Sequence, residues 1–113
     1  MATEIIVTDE FKDWYEDLTL EEQLSVERYV DMLSVAGATL KFPYSSGIAG
    51  SRFSAMRELR VQHAGLPYRV LYAFDPIRHA VLLVGGEKTG DDRWYKTAIP
   101  LADKLWEEYL HNK

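Results

Sequence analysis

Basic side chains are concentrated between residues 56 and 96, on or beside three apolar runs that are typical of strands. An arginine inside a strand is costly to bury unless it is paired, because its guanidinium keeps its charge. Guanidinium and ammonium groups match phosphate oxygens in charge and in hydrogen-bonding geometry. The candidates are Arg57, Arg60, Arg69, Lys88, Arg93 and Lys96, with Tyr95 beside them. We therefore expect a surface that contacts phosphates.

These residue types are suited to the cleavage of RNA without a metal ion. Cleavage requires deprotonation of the 2′-hydroxyl, neutralisation of the phosphorane and protonation of the 5′-oxygen. Arg69 and Lys88 are the candidates for neutralisation. Tyr95 would transfer protons if neighbouring cations lower its pKa, or would stack on a base. Structural roles remain open for every member of the set, and they are favoured, together with auxiliary roles, for Arg57, Arg93 and Lys96.

Other kinds of site have little support. The sequence has no cysteine, and His63, His79 and His111 lack the spacing of a zinc site. Gly85 and Gly86 do not form a nucleotide-binding motif, and we interpret them as a strand end that bends. Asp91 and Asp92 are expected to cap the last helix rather than to act as an acid–base pair. Neither a metal nor a cofactor is expected.

Length and charge define the class of protein. A chain of 113 residues predicts one domain, residues 1–113, and neither a membrane-spanning run nor a signal peptide is evident, so a cytoplasmic protein with no membrane partner is expected. The net charge of −5 is unevenly distributed: residues 1–47 have a balance of −7, and residues 52–96 a balance of +3. Because +3 is low for holding RNA unaided, we expect a larger partner surface to help.

The hydrophobic pattern predicts an α+β fold. A first strand is expected at residues 4–8, followed by a helix capped by Thr8 and by a second helix that begins with the capping box Thr19–Glu22 and ends before Gly37. Residues 38–51 are interpreted as a turn-rich connection. Antiparallel strands are expected at 53–61, 68–74 and 80–85, then a final helix with a kink or restart at Pro100. Two N-terminal helices would thus pack on a twisted antiparallel sheet of about four strands.

The order and spacing of several short motifs resemble the RelE/ParE superfamily of bacterial toxins, and most closely its HigB-like, phage-derived branch. The motifs are EFKDWYEDL, GIAGSRF, ELR, YRVLYAF, LLVGGEK and RWYKTAIPLADKLWEEYL, which together span nearly the whole chain. The resemblance implies the toxin of a toxin–antitoxin module. Such a toxin cleaves messenger RNA in the ribosomal A site and is neutralised by a helix-turn-helix antitoxin.

The resemblance also implies roles for single residues. Arg69 would bind the scissile phosphate, and Lys88 would stabilise charge in the transition state. Tyr95 would stack on a base or assist proton transfer, and Arg60 would position the RNA backbone. Where RelE has two lysines, this sequence has Met56 and Glu58, so that Glu58 is either the general base or the partner of an ion pair.

Two other functions are compatible with the same fold. One is a ParE-like poison of DNA gyrase, which binds without catalysis, and the other is a non-catalytic relative that only binds its antitoxin. The combination of Arg60, Arg69, Lys88 and Tyr95 favours the ribonuclease. The basic surface is further expected to attract an acidic segment of the antitoxin.

Overall fold

The computed structural model describes residues 2–89 and 92–112, which form three α-helices, a 3-10 turn and five strands. In chain order the elements are β1 (Ile5–Val7), α1 (Asp9–Glu16), α2 (Leu20–Ala36), the 3-10 turn (Gly37–Thr39), β2 (Ser45–Gly47), β3 (Arg57–His63), β4 (Leu66–Phe74), β5 (Ala80–Glu87) and α3 (Arg93–His111). The predicted α+β class, with two N-terminal helices and one C-terminal helix, is confirmed.

The strands form one sheet in the order β1-β5-β4-β3-β2. Strands β2 to β5 pair antiparallel, whereas β1 pairs parallel to β5. The sheet is therefore mixed and has five strands, so the prediction of an antiparallel sheet of about four strands is broadly compatible with the fold but not exact. The missed strand, β2, has the sequence Ser-Ser-Gly, which lacks the apolar alternation that identifies a strand. It exists because its backbone pairs with residues 57–59 of β3.

The β3–β4 hairpin is closed by a two-residue turn. His63 pairs with Leu66, and Ala64 and Gly65 between them have φ angles of 51° and 81°. Two successive positive φ angles are the mark of the type I′ turn, whose twist matches that of the flanking strands. This hairpin fixes the register that places Arg60 directly opposite Arg69.

The ends of α1 and α2 are those that the sequence predicts. The Thr8 side chain accepts a hydrogen bond from the Phe11 amide, and Thr19 and Glu22 form the reciprocal capping box. Gly37 ends α2 with a φ of 57°, and a Cβ at this position would lie 2.6 Å from the Thr3 hydroxyl oxygen. Glycine is thus required here by both conformation and space.

Two hydrophobic cores lie on opposite faces of the sheet. On one face α1 and α2 pack against β3 and β4 residues such as Leu59 and Val70. On the other face α3 packs against residues such as Leu71 and Leu83. Since neighbouring residues of a strand point to opposite faces, Glu58, Arg60 and Arg69 share the α3 face.

The glycine pair in β5 does not end the strand, which continues to Glu87. A Cβ on Gly85 would lie 2.2 Å from the Trp14 ring, and one on Gly86 would lie 2.2 Å from the Trp94 ring. The two glycines therefore allow an indole from α1 and an indole from α3 to pack closely against the two faces of β5. The interpretation as a bent strand end was wrong.

Helix α3 runs unbroken from Arg93 to His111 with Pro100 inside it, so the expected restart does not occur. Asp92 stands at the N-cap position, but its side chain makes no capping hydrogen bond, and the cap predicted at Asp91 lies outside the described residues. The buried face of α3 contains Ala98, Ile99, Ala102, Leu105 and Trp106, whereas Leu101 of the predicted apolar stripe is exposed.

Candidate phosphate-binding site

Three of the predicted basic residues line one cavity of about 390 Å³ on the α3 face of the sheet. Arg60 comes from β3, Arg69 from β4, and Lys88 follows β5. They meet because the three segments are adjacent antiparallel strands in which Arg60 pairs with Arg69, and Arg69 with Gly86. Pro43, Gln62, Gly65 and Pro67 complete the walls.

Arg69 is the most enclosed of the three cations, with only 6% of its surface exposed. One terminal nitrogen donates to the Tyr68 carbonyl oxygen at 3.0 Å, while its buried Nε has no hydrogen-bond partner. Nε lies 3.6 Å from Oε1 of Glu58, within ion-pair distance. A buried guanidinium with a free donor is expensive to maintain unless a ligand uses it.

Glu58 is the carboxylate around which the site is organised. It is 5% exposed, and its Oε2 accepts hydrogen bonds from Arg60 at 3.1 Å and from the Ser46 hydroxyl at 3.0 Å. Its Oε1 accepts from the Tyr95 hydroxyl and faces Arg69. Two arginines placed directly opposite each other repel, and the intervening carboxylate offsets that repulsion.

The Tyr95 hydroxyl is held as a donor. Burial and the hydrogen bond to Glu58 raise its pKa to about 12, and the opposing influence of Arg69 is smaller. The condition that neighbouring cations lower this pKa is not met, because the loss of hydration and the nearby carboxylate outweigh the guanidinium. Tyr95 is consequently protonated at neutral pH and suited to donate a proton rather than to accept one.

Lys88 lies beside the same tyrosine. Its ammonium is 5.8 Å from the centre of the Tyr95 ring and 3.3 Å from a carboxylate oxygen of Asp92. The Asp92 side chain is 81% exposed, so this ion pair is weak and a phosphate can compete with it. Asp92 thus contacts a candidate site residue instead of capping α3.

Arg57 is not brought to this cavity. Its Nε donates to the buried Ser45 hydroxyl at 3.0 Å, and that hydroxyl contacts the Tyr72 hydroxyl. Tyr72 belongs to the core beneath α1 and α2. Because Arg57 and Glu58 are consecutive in β3, their side chains point to opposite faces. The predicted RNA contact by Arg57 has no geometric support.

The other two basic candidates lie on the first turn of α3. Arg93 is exposed at its start, and Lys96 is exposed beside Tyr95, where it lines a shallow cavity with Gly50 and Pro100. Neither lines the cavity of Arg60, Arg69 and Lys88. Lys96 thus shares a cavity with Tyr95, a residue of the site.

Several further residues of the site were not predicted. Ser46 holds Glu58 from the unrecognised strand β2, and the Phe42 ring lies 5.2 Å from the Arg60 guanidinium. A neighbouring cavity of about 360 Å³ is lined by Gly47, Ile48, Ala49, Glu58, Asp92, Tyr95 and Ile99. Gly47, Ile48 and Ala49, like Ser46 and Phe42, come from the turn-rich connection, whose position over the sheet has no periodic signal in the sequence.

Two further findings concern other kinds of site. Within residues 2–89 and 92–112, no group of three or more histidine or acidic side chains is arranged to hold a metal ion. In the same part of the chain, none of the helices combines the length and the apolar composition that crossing a membrane requires.

Comparison with known proteins identifies relatives. Residues 13–107 match the family of phage-derived, Gp49-like proteins. A Mycobacterium tuberculosis protein named "Putative toxin HigB3" is 39% identical over 107 residues, which cover 94% of this chain and 92% of that protein. Another from the same organism, "Putative toxin HigB2", is 35% identical over 99 residues, which cover 86% of this chain but only 49% of that protein. The chain belongs to the Gp49-like family of phage-derived proteins, as its resemblance to the HigB-like, phage-derived branch predicted.

Proposed function

We propose that this protein is the toxin of a toxin–antitoxin module and that it cleaves messenger RNA on the ribosome without a metal ion. The observation that carries the proposal is the convergence of Arg60, Arg69 and Lys88 on one cavity, next to the Tyr95 hydroxyl. The toxin names of two relatives support the biological class. The cation cluster supports phosphate as the ligand.

The proposed role of each residue follows from the burial and the position of its side chain. Arg69, buried and with an unused Nε, binds the scissile phosphate. Lys88 approaches from the end of β5 and neutralises charge that develops on the phosphorane. Tyr95 supplies a proton to the leaving oxygen or stacks on a base, since its raised pKa keeps the hydroxyl protonated. Arg60, whose guanidinium is partly exposed, contacts the RNA backbone.

Glu58 is the candidate for the general base. In the free protein Oε2 accepts two hydrogen bonds, whereas Oε1 accepts one, from Tyr95, and faces Arg69. One of these neighbours must therefore move before a substrate hydroxyl can approach Glu58. A phosphate bound to Arg60 and Arg69 would compete for those donors. Substrate binding would then release the carboxylate at the point where the 2′-hydroxyl proton is removed.

Dependence on the ribosome is proposed from the small number of cations. Phosphate contacts supply most of the sequence-independent affinity for RNA, and only three cations line the cavity. A ribosome would present the messenger already bound, with its phosphate in position. The expected partners are therefore a ribosome with messenger RNA in its A site and a helix-turn-helix antitoxin.

The test is cleavage of a defined transcript by purified protein with and without ribosomes. We expect cuts only with ribosomes, and a loss of roughly 10²–10³ in rate for Arg69→Ala. Arg28→Ala on the exposed side of α2 is the matched control and should cleave normally. Equal cutting of naked RNA would leave a free ribonuclease. Intact transcripts together with double-strand breaks in DNA would instead indicate a gyrase poison.

A further inference from the structure

An apolar groove lies on the opposite side of the molecule from the cationic cavity. It has a volume of about 400 Å³, within the range of ligand pockets, and it opens between α1, α2 and β1. Its apolar walls are formed by Ile5, Val7, Phe11, Tyr15, Val26 and Val30. Several of these belong to the core beneath α1 and α2, yet Val7 remains 45% exposed. The groove therefore leaves apolar surface in water.

The surroundings of this groove are strongly acidic. Residues 9–36, which contain α1 and α2, have nine acidic and two basic side chains. Glu16 and Glu27 line the groove itself, with Lys12 as the cation beside them. Within residues 2–89 and 92–112, none of these nine carboxylates is in an ion pair. Glu27 accepts a hydrogen bond from the Tyr15 hydroxyl, and its charge, like that of Glu16, has no cation of the described residues within ion-pair distance.

The negative charge around the groove favours some binding partners over others. A second copy of the chain would bring one acidic helical surface against another, and nucleic acid or an anionic membrane would be repelled in the same way. The adjacent sheet edge, β1, has only three residues, which is short for the addition of a partner strand. A helix that presents apolar side chains to the groove and basic side chains to its rim fits both observations.

We propose that the groove between α1 and α2 binds a basic amphipathic helix of a partner protein. Its apolar residues, spaced at i, i+3, i+4 and i+7, enter between Phe11, Tyr15 and Val30. Its lysines or arginines approach Glu16 and Glu27 at the rim. The bound helix covers the exposed part of Val7 and lies on the sheet face opposite to Arg60 and Arg69.

The antitoxin is the partner expected to contribute this helix, and that identification rests on the proposed function. Binding at the groove would leave the cationic cavity open. Neutralisation would then result from the bulk of the partner, which prevents approach to the ribosome, rather than from a blocked site. An acidic antitoxin segment at the cationic cavity would have to compete with Glu58, because Glu58 already contacts both arginines.

The experiment uses two synthetic peptides of about 15 residues, a length at which isolated helices begin to form. They share one leucine stripe, but the remaining positions are lysine and arginine in one peptide and glutamate in the other. Their binding to the full chain is measured by fluorescence anisotropy and located by amide chemical shifts. We expect the basic peptide to bind roughly tenfold or more tightly than the acidic one at low salt, with shifts at Val7, Val26 and Val30.

Charge reversal at the rim provides the second measurement. The double variant Glu16→Lys and Glu27→Lys should lose or reverse the preference for the basic peptide. Glu108→Lys, an exposed site on α3, is the control and should preserve it. Circular dichroism establishes whether the variants are folded. The amide chemical shifts are measured on the unaltered chain and do not depend on the variants.

Several outcomes would overturn the proposal. These are equal affinity for the two peptides, no binding of either below about 1 mM, shifts confined to the Arg60 and Arg69 face, or self-association of the chain through the groove. The assay contains neither RNA nor ribosomes. A failure to cleave RNA would therefore leave this result unchanged, and absent peptide binding would leave the ribonuclease proposal unchanged.

Discussion

At the scale of single residues, Glu58 has two possible roles: general base, or counter-ion of Arg60 and Arg69. Replacing it by glutamine keeps one acceptor oxygen, for either Ser46 or Tyr95, and removes the charge between Arg60 and Arg69. We expect Glu58→Gln to lower the free energy of unfolding by up to about 3 kcal/mol, because two partly buried cations lose their counter-ion. We also expect tighter binding of a short RNA, since phosphate no longer competes with a carboxylate.

Urea titration and RNA affinity measured on the same variant decide the question. If Glu58 is also the base, cleavage should fall by roughly 10²–10⁴ despite the tighter binding. Cleavage retained near the rate of the unaltered protein would assign Glu58 to ion pairing alone. Weaker RNA binding by a folded Glu58→Gln variant would contradict its role as a competitor for the arginines.

Tyr95 gives a second prediction for a single side chain. With a pKa of about 12, its hydroxyl does not ionise between pH 6 and 9, so no step in the pH–rate profile there should belong to it. Tyr95→Phe keeps the ring beside Lys88 and should be milder than Tyr95→Ala if stacking matters more than proton donation. The measurement is the pH–rate profile of all three proteins. A step that is present in the unaltered protein and disappears in both variants would show that the hydroxyl titrates in this range.

The same pKa has a consequence for stability. The folded pKa lies above the ordinary value of about 10, so the folded state favours the neutral phenol. Its contribution is therefore complete below about pH 10 and is lost as pH rises towards about 12. Tyr95→Phe should flatten this part of the curve of unfolding free energy against pH. An unchanged curve would show that the environment of the hydroxyl is not as described.

At the scale of elements, the sequence was informative wherever a local physical signal exists. The capping box at Thr19 and the nearly continuous apolar run of β4 are signals of this kind, and both elements were predicted. Strand β2 has no such signal, because three residues of Ser-Ser-Gly pair only through their backbone. The parallel pairing of β1 with β5 was missed for a related reason, since it depends on contacts between distant segments.

The contacts of the site are likewise of two kinds, those that sequence patterns predict and those that they do not. Strand order and alternation are sufficient to bring Arg60, Arg69 and Lys88 together, and alternation alone would have separated Arg57 from them. The hydrogen bonds from Ser46 and Tyr95 to Glu58 were not predicted, because they depend on the paths of the connection before β3 and of α3. Those paths are set by packing, as with Trp94 against Gly86, and packing of this kind has no periodic pattern in the sequence.

The two glycines of β5 lead to a prediction about the elements that pack against it. Gly85→Ala and Gly86→Ala should each lower the free energy of unfolding by about 1–3 kcal/mol, because each methyl group would overlap an indole. Gly86→Ala should also reduce cleavage, since Trp94 precedes Tyr95 in the first turn of α3. Gly85→Ala displaces Trp14 of α1 and should leave the cleavage rate of the folded fraction unchanged.

Thermal unfolding and single-turnover cleavage of the two variants provide the comparison. Gly47→Ala is the control for stability, because a Cβ at that position would meet no atom within 4 Å. Equal cleavage by Gly85→Ala and Gly86→Ala would mean that the position of Tyr95 does not depend on the packing of Trp94. A neutral effect of both on stability would contradict the close contacts of the indoles.

The whole molecule is electrically polarised. The balance of −7 belongs to residues 1–47, and that of +3 belongs to residues 52–96. Glu16 of α1 and Glu27 of α2 line the apolar groove. Arg60, Arg69 and Lys88 meet on the other side of the sheet. Such a molecule would approach a polyanion with its α3 face, and its helical face would be turned away. This polarity allows one chain to have an RNA-facing surface and a surface for a basic partner.

Polarity of this size predicts weak binding of naked RNA with a shallow dependence on salt. Three cavity cations correspond to a slope of about −2 in a plot of log K against log salt for single strands, because each phosphate contact contributes about −0.7. Lys88→Ala should reduce that slope by about one contact, while Lys104→Ala, exposed on α3 outside the cavity, should not change it. The measurement is the affinity for a short RNA between 50 and 200 mM salt, a range in which six to ten contacts would change affinity by about 10³–10⁵. A slope that steep would reveal a cationic surface larger than the cavity, and ribosomes would then not be needed to hold the messenger in place.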